Sequence, residues 1–334
     1  MVEMTGGDVL YLITGEPLKN IYIDPLRTFL SRCGLDFDPA VQFTALLMED
    51  EEILATGSMD GAVIKCVAVS PDRQGEDLTG QIMTALLQHA AEKGLRHLML
   101  YTKPQNQYLF SGFGFYPVIR TADVLLLENQ RDGLDAFLAA IPKPAADGLV
   151  GCIVANANPF TLGHRHLVER AARECTLVHL FILSEDRGMF SAQQRLDMAR
   201  AACADLPNVL VHPTGPYMVS AATFPSYFIK DKARVDSIHC EADLRLFGEK
   251  IAPALGITRR YVGCEPECAV TARYNEQMKA ALPAWGVDVI EIPRKEAQGQ
   301  IISASRVREM IAQGRTAELS ALLPSAVLEL ITQG

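Results

Sequence analysis

The chain has 334 residues, 49% of them hydrophobic and 21% charged, which excludes a mainly disordered chain, a collagen-like polymer and a coiled coil. At roughly 100–200 residues per domain, two domains are expected, each large enough to bury its own core without disulfides or metals. The formal charge of −9 earns no counterion-release gain on nucleic acid, so nucleic-acid binding is disfavoured while a local basic site for a phosphorylated ligand is not.

No apolar run approaches the roughly 20 residues needed to span a bilayer, so no membrane partner is expected. Met1-Val2-Glu3-Met4-Thr5 has neither a basic nor an apolar leader region, which points to a cytoplasmic chain. Eight scattered cysteines read as reduced core residues. Cys264 and Cys268 lie near His239 and Cys240 in sequence only, lack paired ligand spacing, and suggest no metal site.

In chain order, residues 43–48 and 52–58 read as a hairpin and 62–69 as a third strand. A polar loop over 71–77 leads into an amphipathic helix over 78–93 and a strand over 95–101. Short strands around Gly112-Phe113-Gly114-Phe115-Tyr116 and over 124–127 complete an α+β unit with a mixed sheet. Ile141-Pro142-Lys143-Pro144-Ala145-Ala146-Asp147-Gly148 continues neither helix nor sheet easily, so a linker is expected over 136–147, between domains at 1–135 and 148–334.

Beyond it, strands over 149–154, 177–183, 209–211, 260–263 and 287–292 alternate with helices over 162–174, from Ser191, 241–254, 274–282 and from Ser303 to Gly314. Ser191 with Gln194 forms a capping box. This alternation implies an α/β domain with a doubly wound parallel sheet, whose ligands bind beyond the carboxyl ends of its strands.

At the end of the first of these strands stands Asn156-Ala157-Asn158-Pro159-Phe160-Thr161-Leu162-Gly163-His164, opening the next helix. A helix start offers free N–H groups and positive dipole to phosphate, Gly163 permits close backbone approach, and Thr161 and His164 supply donors. His166, two residues on, points elsewhere by helical geometry and reads as structural.

These residues resemble the nucleotidyltransferase superfamily with the (His/Thr)-x-Gly-His motif. The resemblance implies that His164, with Thr161, stabilises charge on the α-phosphate of ATP, accompanied by magnesium, while a nucleophile displaces pyrophosphate. Arg187-Gly188-Met189-Phe190-Ser191 resembles the family's basic loop, which gives Arg187 a catalytic role. Ile302-Ser303-Ala304-Ser305-Arg306-Val307-Arg308 resembles its Ile-Ser-x-Ser-x-Val-(Arg/Lys) motif, which places Ser303, Ser305, Arg306 and Arg308 on the phosphates. Asn156, Asn158, Pro159, Phe160, Gly163, Gly263 and Glu265 complete the implied nucleotide site.

The stretch from Tyr261-Val262-Gly263-Cys264-Glu265 to Arg273-Tyr274-Asn275, together with Phe247-Gly248-Glu249-Lys250-Ile251, narrows the resemblance to citrate lyase ligases. Tyr101-Thr102-Lys103-Pro104-Gln105-Asn106 and the glycine–aromatic run after it resemble the end of a GCN5-related N-acetyltransferase domain. In that fold a loop of pattern (Gln/Arg)-x-x-Gly-x-(Gly/Ala) holds the pyrophosphate of coenzyme A. Here Gln74-Gly75-Glu76-Asp77-Leu78-Thr79-Gly80 places Asp77 and Thr79 where glycine or a small residue is expected, which disfavours ordinary acetyl-CoA binding.

The resemblance implies acetylation of the thiol prosthetic group of the citrate lyase acyl carrier subunit. Acetate and ATP would form acetyl-adenylate, releasing pyrophosphate and then AMP, with Gln74, Gly75, Gly80 and Asn106 on the prosthetic arm. Two rivals stand beside it: an adenylyltransferase acting on a phosphorylated cofactor precursor, and an acyl-CoA-dependent acetyltransferase.

Overall fold

The computed structural model describes residues 10–144, 147–186, 188–218, 224–265, 269–297 and 299–333. The first part carries β1 (Leu10–Gly15), α1 (Ile23–Arg32), β2 (Phe43–Glu49), β3 (Glu52–Asp60), β4 (Val63–Val69), α2 (Leu78–Glu92), β5 (Met99–Thr102), α3 (Gln107–Ser111), β6 (Tyr116–Arg120) and β7 (Leu125–Glu128). Its strands form one mixed sheet in the order β1-β2-β3-β4-β5-β7-β6. All neighbours are antiparallel except β4 and β5, which run parallel and pair only at Val63–Met99 and Ile64–Leu100. Beyond that point the two strands part, and a cleft opens between them. The apolar stripe of α2 (Leu78, Ile82, Met83, Leu86, Ala90) is buried in the core that this sheet supports.

Two features differ from the sequence expectation. β1 and α1 were not anticipated, because β1 is an edge strand with a mostly exposed pattern that lacks clear alternation. The run from 112 to 115 is the turn that follows α3, with Gly114 at φ +79°, and β6 begins only at Tyr116. Phe115 is fully buried, so the aromatic spacing reflects core filling and not a pleat.

The second part continues with α4 (Gly133–Ala140), β8 (Val150–Ala155), α5 (Leu162–Glu174), β9 (Leu177–Ile182), α6 (Ala192–Cys203), β10 (Val209–Pro213) and α7 (Val235–Leu246). A π-helical turn, Phe247–Ile251, joins α7 to α8 (Ala252–Leu255). Then come β11 (Arg259–Gly263), α9 (Ala269–Ala281), β12 (Asp288–Ile292), the two-residue strands β13 (Glu296–Ala297) and β14 (Gln300–Ile301), α10 (Ala304–Ala312) and α11 (Ser325–Gln333). β8 to β12 form a sheet in the order β10-β9-β8-β11-β12, parallel at every pairing. The order reverses between β8 and β11, and crevices of such sheets open at that switch.

The chain divides into two units: one runs to Gly133 and includes Pro225–Ile238, and the other holds Leu134–Phe224 and His239 onward. The excursion over Pro225–Ile238 carries no local sequence signal. Of the stretch read as a linker, the part up to Ala140 is α4, which buries Leu138. Among the described residues, no helix is long and apolar enough to cross a membrane.

Candidate functional site

β8 ends at Ala155, and Thr161 caps α5 with extended backbone geometry. The cap is reciprocal: Thr161 Oγ1 accepts from the His164 N–H, and the Thr161 N–H donates to His164 Nδ1 at 3.0 Å. Histidine thus stands where a capping box usually has Glu or Gln. Because Nδ1 accepts from a backbone N–H, its lone pair is committed and the neutral ring carries its proton on Nε2. Burial pushes the His164 pKa down to about 4, and the nearby Arg294 guanidinium adds to the shift. His164 is therefore a neutral N–H donor at physiological pH.

Around it lies a cavity of about 560 Å3 at the carboxyl ends of β8, β11 and β12, also walled by α5, α9 and the start of α10. Asn156 lines it, with its backbone and side-chain oxygens both bound by Arg195 Nη1 at 2.8 and 2.7 Å. Arg195 is fully buried and also bonds the carbonyls of Phe190 and Glu185, so one guanidinium ties the β8–α5 turn to the β9–α6 loop. Asn158 is buried, and its Oδ1 accepts from the Phe190 N–H. A Cβ at Gly188 would lie 1.9 Å from Asn158 Nδ2, so only glycine fits there.

The C-terminal motif meets the first one directly. A Cβ on Gly163 would stand 3.2 Å from the Ile302 carbonyl oxygen, so the missing side chain lets the start of α5 approach this segment. Ser303 caps α10 by accepting from the Arg306 N–H. Arg308 donates to the Asn158 carbonyl at 2.6 Å and to Ser305 Oγ at 3.0 Å, tying the last motif to the β8–α5 turn. Across the cavity, Arg294 is held by the Cys264 carbonyl and the Glu265 carboxylate.

The cavity thus brings together Asn156, Asn158, Thr161, Gly163, His164, Gly263, Glu265, Ser303, Ser305 and Arg308. Pro159 and Phe160 do not line it, and both are buried; Phe160 belongs to the core beneath β8 and α5. Arg306 does not line it either: its side chain lies with Gln300, Glu309 and Arg315, two helical positions from Arg308 and on a different side of α10. Arg187 and Cys268 lie outside the described residues. His166, read as structural, does line the cavity, because the cavity extends along α5 past its first turn. Sequence reasoning also missed Arg195 and Arg294. Both look like ordinary surface cations until the strand order is known, although the Pro293-Arg294-Lys295 run directly after a strand end was a usable signal.

In the first unit, the parting of β4 and β5 makes a cleft of about 530 Å3 lined by Gln74, Gly75 and Asn106, among others. Asn106 Nδ2 donates to Thr102 Oγ1. Gly80 does not line the cleft. Its missing Cβ makes room for Asp77, whose Oδ1 lies 2.4 Å from where that Cβ would be. Asp77 precedes α2 at φ +52°, with its carboxylate folded over the helix start. Arg73, the cation of this loop, is already paired with Glu49 and Glu76.

A family model described as the citrate lyase ligase C-terminal domain matches residues 150–331, and one described as the acetyltransferase (GNAT) family matches residues 16–115. The chain is 41% identical over 318 residues to a citrate (pro-3S)-lyase ligase of Klebsiella pneumoniae, covering 93% of this chain and 92% of that one. It is 42% identical over 312 residues to the ligase of the same name from Haemophilus influenzae, covering 91% and 93%. A shorter similarity, 37% over 57 residues, covers 16% of this chain and 35% of a phosphopantetheine adenylyltransferase of Staphylococcus carnosus.

Proposed function

The chain belongs to the citrate lyase ligase family and is an enzyme of that class, and we propose that it activates acetate as acetyl-adenylate in the His164 cavity and transfers the acetyl group to a carrier thiol. An acetate oxygen attacks the α-phosphorus of ATP and pyrophosphate leaves. The thiolate of the prosthetic group on the citrate lyase acyl carrier subunit then attacks the acetyl carbonyl, and AMP leaves. No covalent enzyme intermediate is needed, so the protein supplies positioning and charge stabilisation.

The observation that carries this reading is the His164 ring, locked by Thr161 with its Nε2–H free to donate, at a helix start joined to the Ser303–Arg308 segment. Magnesium enters with ATP as part of the nucleotide substrate; among the described residues no three His, Cys, Asp or Glu side chains are grouped to hold a metal. Ser303, Ser305 and Arg308 take the β- and γ-phosphates, and Asn156, Asn158 and Gly263 the remainder of the nucleotide. Glu265 acts through Arg294, which it orients. Arg187 keeps its proposed catalytic role from the motif. The cleft of the first unit, through Gln74, Gly75 and Asn106, takes the prosthetic arm, and Gly80 serves by accommodating Asp77.

ATP labelled in the α-phosphate, incubated with the acyl carrier subunit and with or without acetate, tests the reading. Labelled AMP formed only when acetate is present is expected. A nucleotide conjugate in place of AMP would instead mark an adenylyltransferase, and acetyl transfer from acetyl-CoA without ATP an acetyltransferase.

A further inference from the structure

Three cationic side chains, Lys65, Arg195 and Arg260, are buried among the described residues, at 3%, 0% and 6% exposure. Lys65 is neutralised by Asp38 and Asp60, at 2.9 and 2.8 Å. Arg195 is saturated by carbonyl and amide oxygens. Arg260 is different. Among the described residues its Nη1 reaches only the Cys152 sulfur at 3.5 Å, its Nε has no partner, and its guanidinium lies over the Phe247 ring at 4.5 Å. Arginine cannot shed its charge in a protein, and a buried ion without a counter-ion is costly. A cation–π contact offsets part of that cost and supplies no anion.

Arg260 also faces the His164 cavity. It stands opposite Cys152 in the β11–β8 pairing, so by strand alternation Arg260 and Val262 share a sheet face with Cys152 and Val154. Val154, Val262 and Met278 of α9 line the same cavity. A fixed cation beside short apolar walls matches a small carboxylate: the planar fork takes the two oxygens and the walls take a short alkyl group.

We propose that Arg260 binds the carboxylate of the acid substrate, as an acetate subsite of the His164 cavity. The proposal rests on the acid-adenylation reading above and assigns its second substrate a place. One carboxylate oxygen attacks the α-phosphorus while the guanidinium orients the group.

The test uses the full chain with Arg260→Met and Arg260→Lys, and sodium acetate as the probe against sodium chloride. Acetate should raise the melting temperature of the wild type beyond the chloride control and leave Arg260→Met unmoved. In Arg260→Met the KM for acetate should rise roughly 10- to 100-fold, as loss of a charge-assisted pair implies, with the KM for ATP within about twofold. Arg260→Lys keeps a charge without the fork and should fall between the two. Wild-type acetate saturation in whichever variant folds would overturn the proposal, as would equal acetate stabilisation of wild type and Arg260→Met. A lower kcat and melting temperature with unchanged acetate KM would reduce Arg260 to a structural residue. AMP formation by wild type that ignores acetate would remove the adenylation reading itself, whereas acetate-dependent AMP formation with unchanged acetate KM in the variants removes only the assignment of Arg260.

Discussion

Replacing His164 by alanine removes one N–H donor aimed into the cavity and the acceptor of the Thr161 N–H. Loss of a donor that acts on developing charge lowers kcat by roughly 100- to 1000-fold. The lost cap costs about 1 kcal/mol of stability, too little to unfold a domain of this size. The protonation state sharpens the prediction. With a pKa of about 4, only about one ring in a thousand is charged at pH 7. Protonating Nδ1 would also set a proton against the Thr161 N–H. Between pH 5.5 and 8, then, His164 should contribute no limb to the pH profile of kcat. Pyrophosphate release under saturating ATP and acetate measures both effects, and histidine-selective NMR follows the ring. A His164→Ala enzyme with near wild-type turnover, or a His164 resonance titrating near pH 6.5, would refute the neutral-donor mechanism.

Ser303→Ala combined with Ser305→Ala should raise the KM for ATP, because one caps α10 and the other holds Arg308; a fall in melting temperature with unchanged ATP saturation would make both serines structural. Asp77→Gly should retain the fold, since Asp77 sits at φ +52° where glycine is at ease, and should gain coenzyme A affinity because a carboxylate is removed from the start of α2. Calorimetry that finds no difference in coenzyme A binding would show that Asp77 does not discriminate. His179 and His212 are paired in the core at 3.1 Å, and burial pushes each pKa down to about 4. Their folded values lie below the unfolded value near 6.5, so their stabilisation is full above pH 6.5 and lost as pH falls towards 4. The melting temperature should drop across that window and drop less in a His179→Leu, His212→Leu double variant; equal slopes would discount the pair.

The β8–turn–α5 frame was legible because its signals are local: an apolar run, then a polar turn, then a cap at Thr161. The parallel sheet followed from the alternation of such units. Pro159 and Phe160 belong to the motif yet are buried, so a motif marked the site without separating contact from support. Gly163 turned out to admit the Ile302 backbone, which no reading of one motif alone could supply. The roles of Arg195, Arg260 and Arg294 depend on partners 39, 108 and 29 residues away, beyond the reach of local periodicity. The excursion over Pro225–Ile238 is likewise a long-range fact: Tyr227 donates to the Tyr101 carbonyl 126 residues earlier.

The central claim is that an acetate oxygen attacks the α-phosphorus in the cavity around His164. Acetate carrying oxygen-18 in both carboxylate positions tests it most directly, with the recovered AMP analysed by mass spectrometry. Acetyl-adenylate formation followed by thiol attack places one heavy oxygen in each AMP released. AMP without heavy oxygen, formed at the rate of carrier acetylation, would contradict it.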